Sequence, residues 1–198
     1  MQERNISPEE SLQIIQKMID NSRLKVAENG FHLIVWAIMI SIASICQYLM
    51  ITYRFHLERS WLMWIGAVVI GFTIGNIYEY RRHKNQKIEK NKMNRIVDFI
   101  WMSFGISSAL VWLIAFRYSL YDITPLIHIS LGAATFISGI VLQIKSLIRG
   151  GIIFWVACII CVIISSPVNL LINAAAMIIG FLTPGIQLWK KYKIDSDV

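Results

Sequence analysis

The chain has 198 residues, 56% of them hydrophobic and only 16% charged, with a mean hydropathy of +0.58. A water-soluble domain carries about 25% charged residues, so the composition excludes one. The formal charge of +7 does not indicate nucleic acid, because the basic residues flank apolar runs instead of lining one face of a folded domain.

In chain order, residues 1–30 are predicted to form a cytoplasmic amphipathic helix outside the bilayer. Ser7-Pro8-Glu9-Glu10 is a helix start, with Ser as N-cap, Pro at the first helical position and Glu closing a capping box. Leu12, Ile15 and Ile19 lead an apolar stripe at helical spacing, and Asn29-Gly30 is a stop. Charges here are nearly balanced, so the stripe is a candidate contact for a protein partner more than for anionic lipid. The first 30 residues lack a basic segment followed by an apolar core, so the first span is expected to act as its own uncleaved signal.

Residues 31–53, 60–78, 99–116, 123–144 and 150–189 contain no Asp, Glu, Lys or Arg. A membrane-crossing helix takes ~20 apolar residues. Four of these runs are therefore single spans, and the longest must fold back, at Ser165-Ser166-Pro167. The fold class is an all-α membrane protein. Its transmembrane domain, residues 31–189, has six spans in three hairpins at about 31–53, 61–79, 96–116, 124–144, 152–165 and 168–189. Thr124-Pro125 is expected to cap the fourth span, and residues 145–151 to form a short basic loop. Residues 190–198 make a basic tail.

Sidedness follows from the stretch Tyr80–Arg95, YRRHKNQKIEKNKMNR, which holds seven of the nineteen Lys and Arg residues. Such a segment stays on the cytoplasmic side during insertion. Sixteen of the basic residues fall on that side of the alternating layout and three on the other. Both termini are thus expected to be cytoplasmic. Trp36, Trp61, Trp64, Trp101, Trp155 and Trp189 fall near predicted span ends, where indole rings prefer to sit. Phe72-x-x-Gly75, Phe136-x-x-Gly139 and Phe181-x-x-x-Gly185 recur late in each hairpin, with Trp36, Trp101 and Trp155 in the partner helices. A tripled unit explains this; so does the general recurrence of small residues and interfacial Trp in such helices.

Chemistry is sparse. No ionisable residue falls near the centre of a predicted span, and Glu79 and Asp98 lie at cytoplasmic ends where Arg82 or Arg95 is available to pair. Cys46, Cys158 and Cys161 lie in apolar runs and read as small apolar residues. No catalytic, cofactor or metal constellation is legible. Gln47, His128, Asn169 and Asn173 fall towards the extracytoplasmic half. They either line a shallow polar cavity or hydrogen-bond between helices, the commoner use. Pro184 in Thr183-Pro184-Gly185 is a candidate kink that releases the carbonyl of Gly180. Gly71-x-x-x-Gly75 and Ala176-x-x-x-Gly180 permit close helix approach within the bundle or between subunits.

The segments SPEESLQIIQKMIDNSRLKVAENGFHLIVWA and FLTPGIQLWKKYK resemble small uncharacterised bacterial six-helix inner-membrane proteins. The resemblance implies bacterial origin and an inner-membrane location, and brings no activity with it. The expected function is a non-enzymatic scaffold or sensor, a homo-oligomer in contact with membrane lipids. It would contact a cytosolic or membrane protein through the N-terminal helix and basic loop. The alternative is a small oligomeric transporter or channel for an uncharged or amphiphilic solute.

Overall fold

An apolar run that enters hydrocarbon must satisfy its backbone within itself, and the α-helix does so. The computed structural model describes residues 9, 10, 12, 13, 16, 30–55, 60–83, 92–118, 122–164 and 166–196. Among these no strand occurs, and six helices are long and apolar enough to cross a membrane. The expected N-terminal helix lies largely outside the described residues, Ile15 and Ile19 included; Leu12 is exposed.

The helices are α1 (Gly30–Thr52), α2 (Leu62–His83), α3 (Lys92–Tyr118), α4 (Thr124–Val141), α5 (Lys145–Ile164) and α6 (Asn169–Met177). A π-helical turn, Ile178–Leu182, joins α6 to α7 (Thr183–Ser196). The sixth span runs through these last three elements, Asn169–Lys190. The turn at Ser166-Pro167 forms as expected. Ser166 Oγ accepts the N–H of Val168 at 3.2 Å and the Ser166 carbonyl that of Asn169 at 2.9 Å.

Three local expectations change. The basic segment 145–151, expected as a loop, is the first two turns of α5. Gly150 and Gly151 do not break the helix, because they are the surface on which its neighbours pack. The true connection is Leu142–Ile144, closed by a Schellman motif: Ile144 N–H to the Gly139 carbonyl at 2.8 Å, Gln143 N–H to that of Ile140 at 3.0 Å. Gln143 takes the left-handed position, φ 54°, usually held by Gly. Arg54 repeats the device after α1, with φ 53°. Second, Thr124 is the first helical residue of α4 and not its cap. The carboxylate of Asp122 accepts the Thr124 N–H at 3.0 Å in its place. Third, Trp155 lies midway along the longer α5. Its indole N–H donates to the Ile129 carbonyl at 3.3 Å and its ring packs on Phe136.

The helices neighbour one another in the order α2, α1, α6–α7, α5, α4, α3, with the most extensive contact between α4 and α5. Those two belong to different predicted hairpins. The recurrent aromatic residues also pair unequally. Trp36 meets Phe72 of its own hairpin, whereas Trp155 meets Phe136 and Trp101 meets Phe181, both of other hairpins. This pairing does not follow a threefold unit.

Glycines set the spacing. A Cβ on Gly151 would stand 2.7 Å from the Phe136 nitrogen, and one on Gly139 2.6 Å from the Ile148 nitrogen. Backbones this close leave no room for a side chain, which is the usual way membrane helices associate without a hydrophobic driving force between them. The centre is filled by Phe154, Phe181, Met177, Leu131 and Ala37. By contrast only 6% of the third span's apolar window is buried, against 56% of the sixth. α3, like α2, therefore presents most of its surface outward.

Candidate functional site

Polar side chains in an apolar bundle need partners, because an unsatisfied group in hydrocarbon costs several kcal/mol. At the end of the bundle where α1 and α5 finish and α4 and α6 begin, such groups form a column running inward from the surface. Asp122, exposed in the connection before α4, accepts a hydrogen bond from Asn169 Nδ2. The same amide donates to the Cys161 carbonyl of α5 at 2.9 Å. One turn deeper, Asn173 Nδ2 donates to Ser44 Oγ of α1 at 2.7 Å, and the Ser44 hydroxyl in turn donates to the Ile40 carbonyl at 2.8 Å. Ser41 Oγ reaches the Ala174 carbonyl at 3.3 Å. These bonds tie α1, α5 and α6 together, the commoner role for polar groups between membrane helices.

His128 of α4 completes the column. It is 0% exposed, as buried as Phe154, which lies nearly parallel to it with ring centroids 5.9 Å apart. Asn173 lies beside the imidazole without reaching hydrogen-bond geometry. Neither ring nitrogen has a hydrogen-bond partner among the described residues, and the same holds for Asn169 Oδ1.

Of the four residues expected either to line a polar cavity or to hydrogen-bond between helices, the structure gathers His128, Asn169 and Asn173. Gln47 is engaged elsewhere, accepting the indole N–H of Trp64 from α2 at 2.6 Å. Sequence reasoning missed Asp122, Ser41 and Ser44. Ser41-x-x-Ser44 lies on the same stripe of α1, one turn before Gln47, and that spacing was the available signal. Asp122 lies in the connection before α4, where a carboxylate in the sequence reads as solvated.

Pro184, buried, follows the π-helical turn. Lacking an N–H, it cannot donate to the Gly180 carbonyl. That oxygen presses on Gly150 of α5, where a Cβ would stand 2.4 Å from it. The carbonyl thus serves helix contact, of the weak Cα–H···O kind. On the opposite end of the bundle, Glu79 meets His32 Nε2 at 3.3 Å, and Phe31 stacks on Tyr78 at 4.1 Å. His32 is thus a described partner of Glu79; the side chain of Arg82, one of the two arginines available to pair there, lies outside the described residues. Gly75 makes room for His32 and Gly71 for Trp36, so the Gly71-x-x-x-Gly75 pair receives α1 within the chain.

Comparison with protein-family models, with curated proteins and with solved structures finds no match. Geometry alone therefore defines the class: an all-helical multipass membrane protein with a glycine-packed core and one buried polar column.

Proposed function

We infer that this is a bacterial inner-membrane protein with both termini cytoplasmic, acting as a scaffold or sensor without chemistry of its own. The observation that carries the reading is the solid centre of the bundle. Phe154, Phe181, Met177 and Leu131 fill it, and glycine contacts lock α4, α5 and the sixth span around it. Such a body suits anchoring better than conduction. Contact with a cytosolic or membrane protein falls to the N-terminal helix, through Leu12, Ile15 and Ile19, and to the basic segment 80–95. The outward faces of α2 and α3 meet lipid or a second copy.

The sidedness is checked by accessibility of N- and C-terminal tags in intact cells, where both should be shielded. The partner reading is checked by affinity recovery. Deleting residues 1–28 should abolish co-purification of the partner while insertion stays intact; undiminished recovery would sink it. The polar column favours a second reading, a small transporter or channel for an uncharged or amphiphilic solute. In proteoliposomes that reading requires flux that drops in Asn173→Leu, and the scaffold reading requires none.

A further inference from the structure

α3 touches the rest of the bundle chiefly through α4, and its other faces are open. On one open face Arg95, Asp98, Met102, Gly105, Ala109 and Trp112 follow one another at alternating steps of three and four, and all six are exposed. That 3.5-residue period is the seam of a left-handed helix pair. Two features of the seam find no completion within the chain. Asp98 makes no ion pair among the described residues. Arg95, three positions before it, is turned to the Phe99 ring instead, 5.9 Å from its centroid. Of the chain's eleven glycines, only Gly66 and Gly105 would place a Cβ where no atom of a neighbour lies within 4 Å. The others meet atoms of another helix, whereas a helix glycine that receives nothing costs about 1 kcal/mol against Ala. We propose that this face of α3 meets the same face of a second copy, in a parallel two-fold helix pair.

Copies of one chain enter a membrane the same way round, so a two-fold axis normal to the bilayer sets each residue of the seam beside its own counterpart. At the start of the span this gathers two Arg95 and two Asp98, a neutral set. Each arginine then lies one step of the seam from the partner's Asp98, and the attraction crosses between chains. At mid-span the layers are Gly105 and Ala109, where two helices crossing at about 20° come closest. Small residues there let backbones meet, the packing that holds membrane helices together. Away from the crossing the axes diverge, and Met102 and Trp112 are long enough to fill the wider gap. A lipid headgroup can neutralise Asp98, but acyl chains take no account of side-chain size at Gly105, and this difference decides the test. The proposal deepens the scaffold reading, and rests on it, in choosing a second copy for the α3 face.

The test labels the full chain at its C-terminus with donor or acceptor and reads energy transfer in lipid vesicles as the protein is diluted into lipid. Wild type should show transfer that saturates at the level of a dimer. Gly105→Leu should weaken association about tenfold by overpacking the crossing, while the protomer fold stands because that Cβ lies in open space. Alanine is tolerated at the position, as it is at Ala109. Ser103→Leu, the same kind of enlargement at an exposed site off the seam, should associate like wild type. Asp98→Arg should weaken association by about tenfold or more, because it sets four cations together. Adding Arg95→Asp to it should restore the pair with net charge unchanged. Transfer at the random-encounter level in wild type, or Gly105→Leu associating as wild type does, overturns the proposal and leaves the face to lipid. An equal loss in Ser103→Leu, or no recovery in the double swap, overturns it as well. Partner recovery through residues 1–28 is a separate readout, so failure here leaves the scaffold reading to stand or fall on its own test.

Discussion

Gly150→Leu is expected to leave little folded protein, and Gly150→Ala to lose about 1–3 kcal/mol, the usual cost of overpacking a tight core. A Cβ there meets the Gly180 carbonyl oxygen at 2.4 Å. The obstacle is backbone, so no rotamer change relieves it. That carbonyl is itself fixed by the π-helical turn Ile178–Leu182 ahead of Pro184, which sets how closely the sixth span can lie against α5. Gly105 supplies the control, because a Cβ there meets nothing within 4 Å. Gly105→Ala should be neutral or gain up to ~1 kcal/mol of helix propensity. Thermal melts of both variants in the same detergent, read by size-exclusion recovery, separate them. Gly150→Ala should fall several degrees below wild type, at roughly 2–4 °C per kcal/mol. Equal midpoints for the two alanine variants would remove the glycine contact from the account of the fold.

The existence of the spans was legible because charge is excluded from hydrocarbon, and its gaps in the sequence mark the crossings directly. Helix ends were less so. Gln143 and Arg54 occupy left-handed positions that sequence reasoning reserves for Gly, since only a tertiary contact or a hydrogen-bonded motif compels a larger residue there. Gly150-Gly151 read as a loop signal for the same reason in reverse. Glycine's freedom is visible in sequence, while its use as a packing surface depends on which helix lies opposite. The polar residues of α4 and α6 stood out one by one. Their assembly with Ser44 and Asp122 did not, because residues as far apart as Ser44 and Asn173 meet only once α1 is set against α6. Neighbour order is a property of packing, and charge patterning carries no record of it.

Phe154→Ala is expected to have the largest effect of any single truncation in the bundle. Phe154 is 0% exposed and stands where three elements meet. It lies against His128 of α4, meets Phe181 edge-on at 4.9 Å, and covers Gly180, where a Cβ would stand 2.9 Å from its ring. Removing a buried Phe side chain costs about 3–5 kcal/mol in water-soluble cores. In a membrane the transfer part of that cost is small, because lipid tails are as apolar as the protein interior. What remains is lost dispersion contact around a void that the glycine-locked backbones of α4, α5 and the π-helical turn cannot collapse. The expected loss sits at the lower end of that range, a fall in Tm of order 10 °C. Phe154→Leu, which refills part of the space, should recover a good share of it. Phe116→Ala removes the same ring from a position 91% exposed on α3, where lipid replaces it at no cost, and should melt with wild type. If Phe154→Ala and Phe116→Ala melted together, the centre of this bundle would have to lie elsewhere, and the solid-core reading of its function would go with it.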